Sequence, residues 1–236
     1  MEDDNNKVRI NKYLADKGLA TRRGADDLIE TGKVFVNGLK AVLGQKIGLE
    51  DKVEVRGAPS EARRYVAYYK PKGYVTHTPA TGEKEIADIF DMEDLFPIGR
   101  LDKNSDGLII LTNDGRITDR LLNPKYEHEK EYIVETEREI IDTFKEKLEK
   151  GILIGPGEMT KPAKVEILDE HSFSIVITEG KKHQVKRMTE ALGISVHDLK
   201  RVRIMNIKLD KLSPNKSRKI SGKELEKFLG TLGLKS

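Results

Sequence analysis

Apolar positions recur along this chain at two periods, and the switches between them mark its elements. Ile10, Tyr13 and Leu14 stand at helical spacing, as do Ala25, Leu28 and Ile29. Gly18 is expected to end the first helix, Thr21 to cap the second, and Gly32 to close it. Val34-Phe35-Val36 then alternates into Asn37-Gly38, the strongest short signal for a hairpin turn. Further short strands are expected around Val42 and at Val53-Glu54-Val55. Residues 1–7 read as a disordered tail, so 8–56 form one small unit of two helices and a hairpin sheet. Residues 57–62, small and polar, read as a linker to a second domain over 63–236.

In that second domain the period-2 signal dominates. Tyr65 to Tyr69 is a strand broken by Pro71 and Gly73, and a short helix is expected from Glu85 to Phe90. A helical segment runs from Arg116 to Leu122, and Lys130 to Val134 is a strand. Ile140, Ile141, Phe144 and Leu148 predict a helix over Glu139 to Lys150, stopped by Gly151. Two alternating runs, Lys164–Leu168 and Ser172–Ile177, close a hairpin around Asp169-Glu170-His171. A basic helix follows from Lys181 to Leu192, then a strand from Leu199 to Leu209 and a last helix capped by Ser221. Strands with interspersed helices and hairpins predict an α+β domain with a mixed, mainly antiparallel sheet and flanking helices.

The segment from Pro97 to Gly115 departs from plain alternation. A polar loop holding Arg100 and Asp102 runs into the apolar stretch Leu108 to Leu111, and Asn113-Asp114-Gly115 turns the chain again. A loop anchored to a short buried strand can hold a carboxylate rigidly beside a permanent cation. The residues Asn104 to Gly107 read as turn formers, Asp106 among them. Asp102 to Gly107 also matches the opening of a helix-loop-helix calcium loop. Its twelfth place is Asn113 rather than a bidentate Glu, and the residues after Gly107 have strand character, so calcium is set aside.

Composition removes other classes. The chain has no Cys, which excludes disulfides and thiolate sites. Its first residues resemble neither a secretory signal nor an Arg-rich transit peptide, and no apolar run approaches the roughly 20 residues of a membrane helix. A cytoplasmic protein without membrane contact is expected. With 43 basic and 40 acidic side chains, the net charge of +3 does not announce a nucleic-acid partner. A phosphate-binding surface must come from where the cations sit. Arg9, Lys12, Arg22, Arg23 and Lys33 cluster on or beside the first two helices. His77, His128, His171, His183 and His197 show no metal-ligand spacing, and no phosphate-cradling Gly-rich loop is present, so neither a metal nor a cofactor is expected.

Two resemblances give these features an order. Arg9-Ile10-Asn11-Lys12-Tyr13-Leu14, Thr21-Arg22-Arg23-Gly24-Ala25 and Gly32-Lys33-Val34-Phe35-Val36-Asn37-Gly38 resemble the small RNA-binding module of a small-subunit ribosomal protein. The module's two helices would present Arg9, Lys12, Arg22, Arg23 and Lys33 to RNA phosphates, which orient without choosing sequence. Gly99-Arg100-Leu101-Asp102, Ser105-Asp106-Gly107-Leu108 and Leu111-Thr112-Asn113-Asp114-Gly115 resemble the catalytic motif of pseudouridine synthases. Supporting stretches fall in family order: Tyr69 to Gly73, Lys130 to Val134, Glu179 to Met188 and Leu199 to Ile204. The match is to the branch that modifies bacterial ribosomal RNA, the RsuA/RluB/RluE/RluF group, with RluF-like features around Arg203-Ile204-Met205-Asn206 and RsuA-like ones around His183-Gln184-Val185-Lys186-Arg187-Met188.

The resemblance implies a cofactor-free isomerase acting on a flipped-out uridine. Asp102 is then the essential carboxylate, adding covalently to the sugar or abstracting a proton from it. Lys186 matches the position that pairs with the aspartate, often Arg in the family. Arg100 faces the RNA, Tyr132 stacks on the extracted base, and Leu199 forms an apolar wall. Lys182 and Arg187 in the basic helix would contact RNA. The expected partner is ribosomal RNA, large-subunit favoured and small-subunit open, with the protein a monomer. The rival reading is a non-catalytic RNA-binding or ribosome-assembly protein on the same fold, in which a carboxylate at Asp102 would only repel phosphate.

Overall fold

A computed structural model of the chain describes residues 7–17, 19–20, 22–48, 50–56, 63–92, 94–141 and 143–235, without the side chains of Arg22 and Arg23. The stops expected at Gly18 and Thr21, the tail before Lys7 and the linker over 57–62 lie outside the described residues. The chain divides into two compact units, Met1–Arg64 with Thr112–Asp119, and Tyr65–Leu111 with Arg120–Ser236.

In the first unit, β1 (Val8–Arg9) runs into α1 (Ile10–Asp16), followed by α2 (Arg22–Glu30), β2 (Val34–Val36), β3 (Leu39–Lys40), β4 (Lys46–Ile47) and β5 (Val53–Val55). The helical spacing is realised as burial: Ile10, Leu14, Ala25 and Ile29 share one small core with Val34, Val36 and Ile47. The β2–β3 hairpin turns at Asn37 and Gly38, both at positive φ, as that dipeptide requires. Two details differ from the sequence pattern. Val8–Arg9 pairs with Lys46–Ile47 instead of joining the helix, and Val42 is exposed in a turn region between strands. Pairing satisfies the backbone of β1, which no turn of helix could do before Ile10.

The second unit is built on a mixed sheet. Its strands are β6 (Tyr65–Lys70), β7 (Phe96–Ile98), β8 (Asp106–Thr112), β9 (Lys130–Thr136), β10 (Lys164–Asp169), β11 (Ser172–Ile177), β12 (Val196–Ile204), β13 (Ile207–Lys208) and β14 (Ser217–Lys219). The order is β10-β11-β9-β12-β8-β6-β14, with β13 beside β12 and β7 beside β8. Strands β8 and β12 pair in parallel, whereas β10–β11, β11–β9, β9–β12 and β14–β6 run antiparallel. The helices of this part of the chain are α3 (Ile117–Leu122), α4 (Phe144–Lys150), α5 (Gln184–Glu190) and α6 (Gly222–Thr231). Phe144 and Leu148 of α4 and Val185 and Met188 of α5 share the core with Ile109, Leu111, Val134 and Phe173 of the sheet.

Three expectations are corrected here. The helix predicted from Glu139 begins only at Phe144, because the Ile140 N–H is taken by the Glu170 carbonyl of the β10–β11 turn. The strand expected over Leu199 to Leu209 is split by a turn at Met205, which stands at positive φ. Asp106 is no turn residue: it opens β8 and is buried, as is every residue of that strand.

Candidate active site

The loop from Gly99 to Ser105 owes its shape to main-chain bonds. Thr76, buried, uses one hydroxyl twice: its Oγ1 donates to the Leu101 carbonyl at 3.0 Å and accepts the Leu101 N–H at 2.9 Å. The Lys103 carbonyl accepts from Gly73 N–H at 2.8 Å, and the Asp102 carbonyl accepts from Ser105 N–H at 3.1 Å. Arg201 Nη1 donates to the Arg100 carbonyl at 3.3 Å and Lys70 Nζ to the Ser105 carbonyl at 2.8 Å. Each carbonyl from Arg100 to Lys103, and that of Ser105, thus has a donor. Asp102 stands on this fixed frame with its side chain 38% exposed, open to a ligand.

Behind the loop lies a buried polar knot. Lys70 is fully buried; its ammonium donates to the carbonyls of Pro71, at 2.9 Å, and Ser105. Burial pushes its pKa down to about 8, against the pull of Asp106 and Asp102 and with the push of Arg201. Tyr69 donates its hydroxyl to Asp106 in a short bond, and burial followed by that bond holds the phenol well above its usual range. Arg201, 4% exposed, donates Nε to the Leu108 carbonyl at 2.7 Å. Its backbone is met by Gly107, at φ 113°, where a Cβ would stand 2.3 Å from the Arg201 carbonyl oxygen. Glycine at 107 is what lets β8 and β12 come together here.

The sheet register supplies the wall. Arg201 pairs with Tyr132 of β9 on one side and Gly107 of β8 on the other, and Leu199 pairs with Val134. Paired residues share a face, so Leu199, Arg201, Tyr132 and Val134 look the same way. Tyr132 and Leu199 are buried in one core cluster with Leu101, the residue before Asp102. Of the predicted residues, Tyr132 and Leu199 thus lie in the core that Leu101 enters, and Asp102 follows Leu101 on the loop. Arg100 is exposed two residues before Asp102.

The basic helix behaves differently from expectation. The basic group at Asp102 is His183, with Nε2 3.4 Å from Oδ1. Lys186, one turn along in α5, makes no ion pair with Asp102 within 4.0 Å. Arg187 does not point to solvent. Its guanidinium donates to the carbonyls of Ile154 and Lys182 and pairs with Glu158, bracing the turn around Gly155. Lys182 is exposed, as are Arg9, Lys12 and Lys33 in the first unit; the side chains of Arg22 and Arg23 lie outside the described residues. Sequence reasoning misses His183, Lys70 and Arg201. His183 is visible within the basic motif, but metal-ligand spacing is the only test that the sequence offers for it. Among the described residues no three His, Asp or Glu side chains converge as a metal site would require.

Comparison with known proteins gives the family. The family model described as RNA pseudouridylate synthase matches residues 64–191, and that of the S4 domain matches residues 8–53. An uncharacterized RNA pseudouridine synthase of Aquifex aeolicus is 39% identical, over 97% of this chain and 96% of its own length. The dual-specificity RNA pseudouridine synthase RluF of Escherichia coli K12 is 38% identical, over 92% of this chain and 77% of its own. The ribosomal large subunit pseudouridine synthase B of Bacillus subtilis is 36% identical, over 93% of this chain and 95% of its own. A crystal structure of a pseudouridylate synthase superposes with a TM-score of 0.71 at 34% identity, covering 93% of this chain and 99% of that one. The chain belongs to the RNA pseudouridylate synthase family, whose members isomerise uridine in RNA, and it carries an S4 domain ahead of its synthase domain.

Proposed function

We propose that this chain converts a uridine of ribosomal RNA to pseudouridine, with Asp102 as the essential carboxylate. The observation that carries this is the setting of Asp102: a partly exposed carboxylate on a loop whose carbonyls are tied down, directly after Leu101, which packs in the same core as Tyr132 and Leu199. In the reaction the N1–C1′ bond breaks and C1′ joins C5. The C5 hydrogen is lost and N1 gains one, so nothing is consumed. An ionised carboxylate beside C1′ serves either covalent addition to the sugar or removal of a proton from it. Tyr132 offers a ring to the displaced base, Leu199 its apolar floor, and Arg100 a cation toward the RNA. Lys186, on a flexible stem at the edge of the site, adds positive charge when RNA arrives. The first unit supplies affinity: Arg9, Lys12 and Lys33 are exposed, and with Arg22, Arg23 and Lys182 they make phosphate contacts. Such contacts offset the few kcal/mol that flipping a base out of folded RNA costs.

Large-subunit RNA is the favoured substrate, supported by the name of the Bacillus subtilis relative. The working protein is proposed as a cytoplasmic monomer. Among the described residues no helix is long and apolar enough to cross a membrane. Mapping pseudouridines in both ribosomal RNAs, from cells with and without the protein, identifies the target. The Asp102→Asn variant, similar in size, should bind RNA normally and release no tritium from RNA labelled at uridine C5. Turnover in that variant would refute the role of Asp102.

A further inference from the structure

The backbone of Asp102 is fixed, but its carboxylate is free to rotate about two side-chain bonds. Among the described residues its oxygens meet a single polar partner, His183. His183 is itself held in an unusual way. It stands at φ 52° and ψ 31°, just before α5, in the left-handed region that a residue with a Cβ seldom adopts. Four hydrogen bonds keep it there. Buried Gln184 accepts the Lys181 N–H at 2.9 Å and donates to buried Glu179 at 2.7 Å; the His183 carbonyl accepts the Arg187 N–H at 2.9 Å; and Arg187 ties the Lys182 carbonyl. The imidazole is about half exposed and makes no side-chain hydrogen bond among the described residues; its one polar neighbour is the Asp102 carboxylate. A strained residue over-determined by its surroundings, with its ring aimed at the site, is the pattern of a functional constraint.

We propose that His183 is a positioning residue for Asp102. With its proton on Nε2, the ring donates to Oδ1 and selects one rotamer of the carboxylate, leaving Oδ2 to face the nucleotide. At 3.4 Å the pair is a close contact and not yet a hydrogen bond, and contacts in an open site often tighten when substrate binds. This inference rests on the reading of Asp102 as the essential carboxylate.

The test uses His183→Gly, because glycine adopts left-handed backbone freely and the turn before α5 is kept. In full-length protein acting on ribosomal RNA, kcat should fall about tenfold, the worth of one hydrogen bond to a charged group. KM and the thermal midpoint should not rise or fall with it. Added imidazole, and separately His183→Gln with an N–H at similar reach, should restore most of the rate. Wild-type kcat in His183→Gly overturns the proposal, as does a reduced rate that neither imidazole nor glutamine restores. Asp102→Asn run in parallel separates the two readings. Turnover in that variant defeats the role of Asp102, whereas a dead Asp102→Asn beside a fully active His183→Gly defeats only the positioning role.

Discussion

The cations of the two units obey different rules. In the first, Asp114 is buried and pairs with Arg116 at 2.7 Å, but Arg9, Lys12 and Lys33 are exposed, and Lys52 and Arg56 pair with Glu54 while all three stay at least one-third exposed. Such pairs contribute little to stability, and the exposed cations keep their charge available for a polyanion. In the second unit Lys70 and Arg201 are buried, and their donors hold the carbonyls of the loop that carries Asp102. There a charge is costly to bury and costly to remove, because its partners would be stranded. An exposed cation can thus be removed with little cost to the fold, whereas removing a buried one strands the carbonyls it holds.

Gly107→Ala puts this contrast under the greatest load. Its Cβ would meet the Arg201 carbonyl oxygen at 2.3 Å, at a φ that side chains avoid. Because the obstacle is backbone, a loss of about 4 kcal/mol or more is expected, read as a large drop in the urea midpoint or as failure to fold. Near wild-type stability would mean that β8 and β12 are not held as tightly as the geometry requires.

Lys70→Met comes next. It leaves the carbonyls of Pro71 and Ser105 without their donor, at a cost of about 3 kcal/mol. The same residue gives a pH signature. Its pKa is about 8 in the folded protein, against about 10.4 in an unfolded chain. Between those values the unfolded state holds more protons, so stability rises as pH rises through the window. Lys130, also pushed to about 8 by burial, adds a second rise. Urea titrations from about pH 7.5 to about 9.5 should show the wild-type rise, and Lys70→Met should retain only the part due to Lys130. A pH slope identical in both proteins would break the claim that Lys70 is buried with its charge.

The smallest effect on stability belongs to the surface. Arg9→Ala with Lys12→Ala should change unfolding free energy by no more than about 0.5 kcal/mol. The salt dependence of RNA binding should nonetheless flatten, by about one unit of slope for each phosphate that no longer meets a cation. An unchanged slope would remove these two cations from the RNA-binding surface and sharpen attention on Lys33 and Lys182.

Much of this architecture is legible in the order of residues. Ile10, Leu14, Ala25 and Ile29 announce their core by spacing, and Asn37-Gly38 announces its hairpin. Failures cluster where a distant residue competes for a backbone group. Ile140 and Ile141 have helical spacing, but the Glu170 carbonyl, thirty residues away in sequence, takes the Ile140 N–H. Asp106 has the composition of a turn, yet Tyr69 and the strands around β8 bury it. Neither outcome is encoded within a few residues of the site concerned.

The candidate site divides along the same line. Residue order sets which residue types are available and in what succession: the Gly99 to Asp102 loop, the buried run after it, Tyr132, the basic helix and Leu199. It can do so because local propensity, apolar periodicity and motif order are properties of neighbouring residues. Folding settles which basic group meets Asp102, that Arg187 is spent on the turn around Gly155, and that Lys70 and Arg201 hold carbonyls of the loop. Those outcomes depend on sheet register and on a single left-handed residue at His183. Register is a property of strands far apart in sequence, and it alone sets Arg201 between Tyr132 and Gly107.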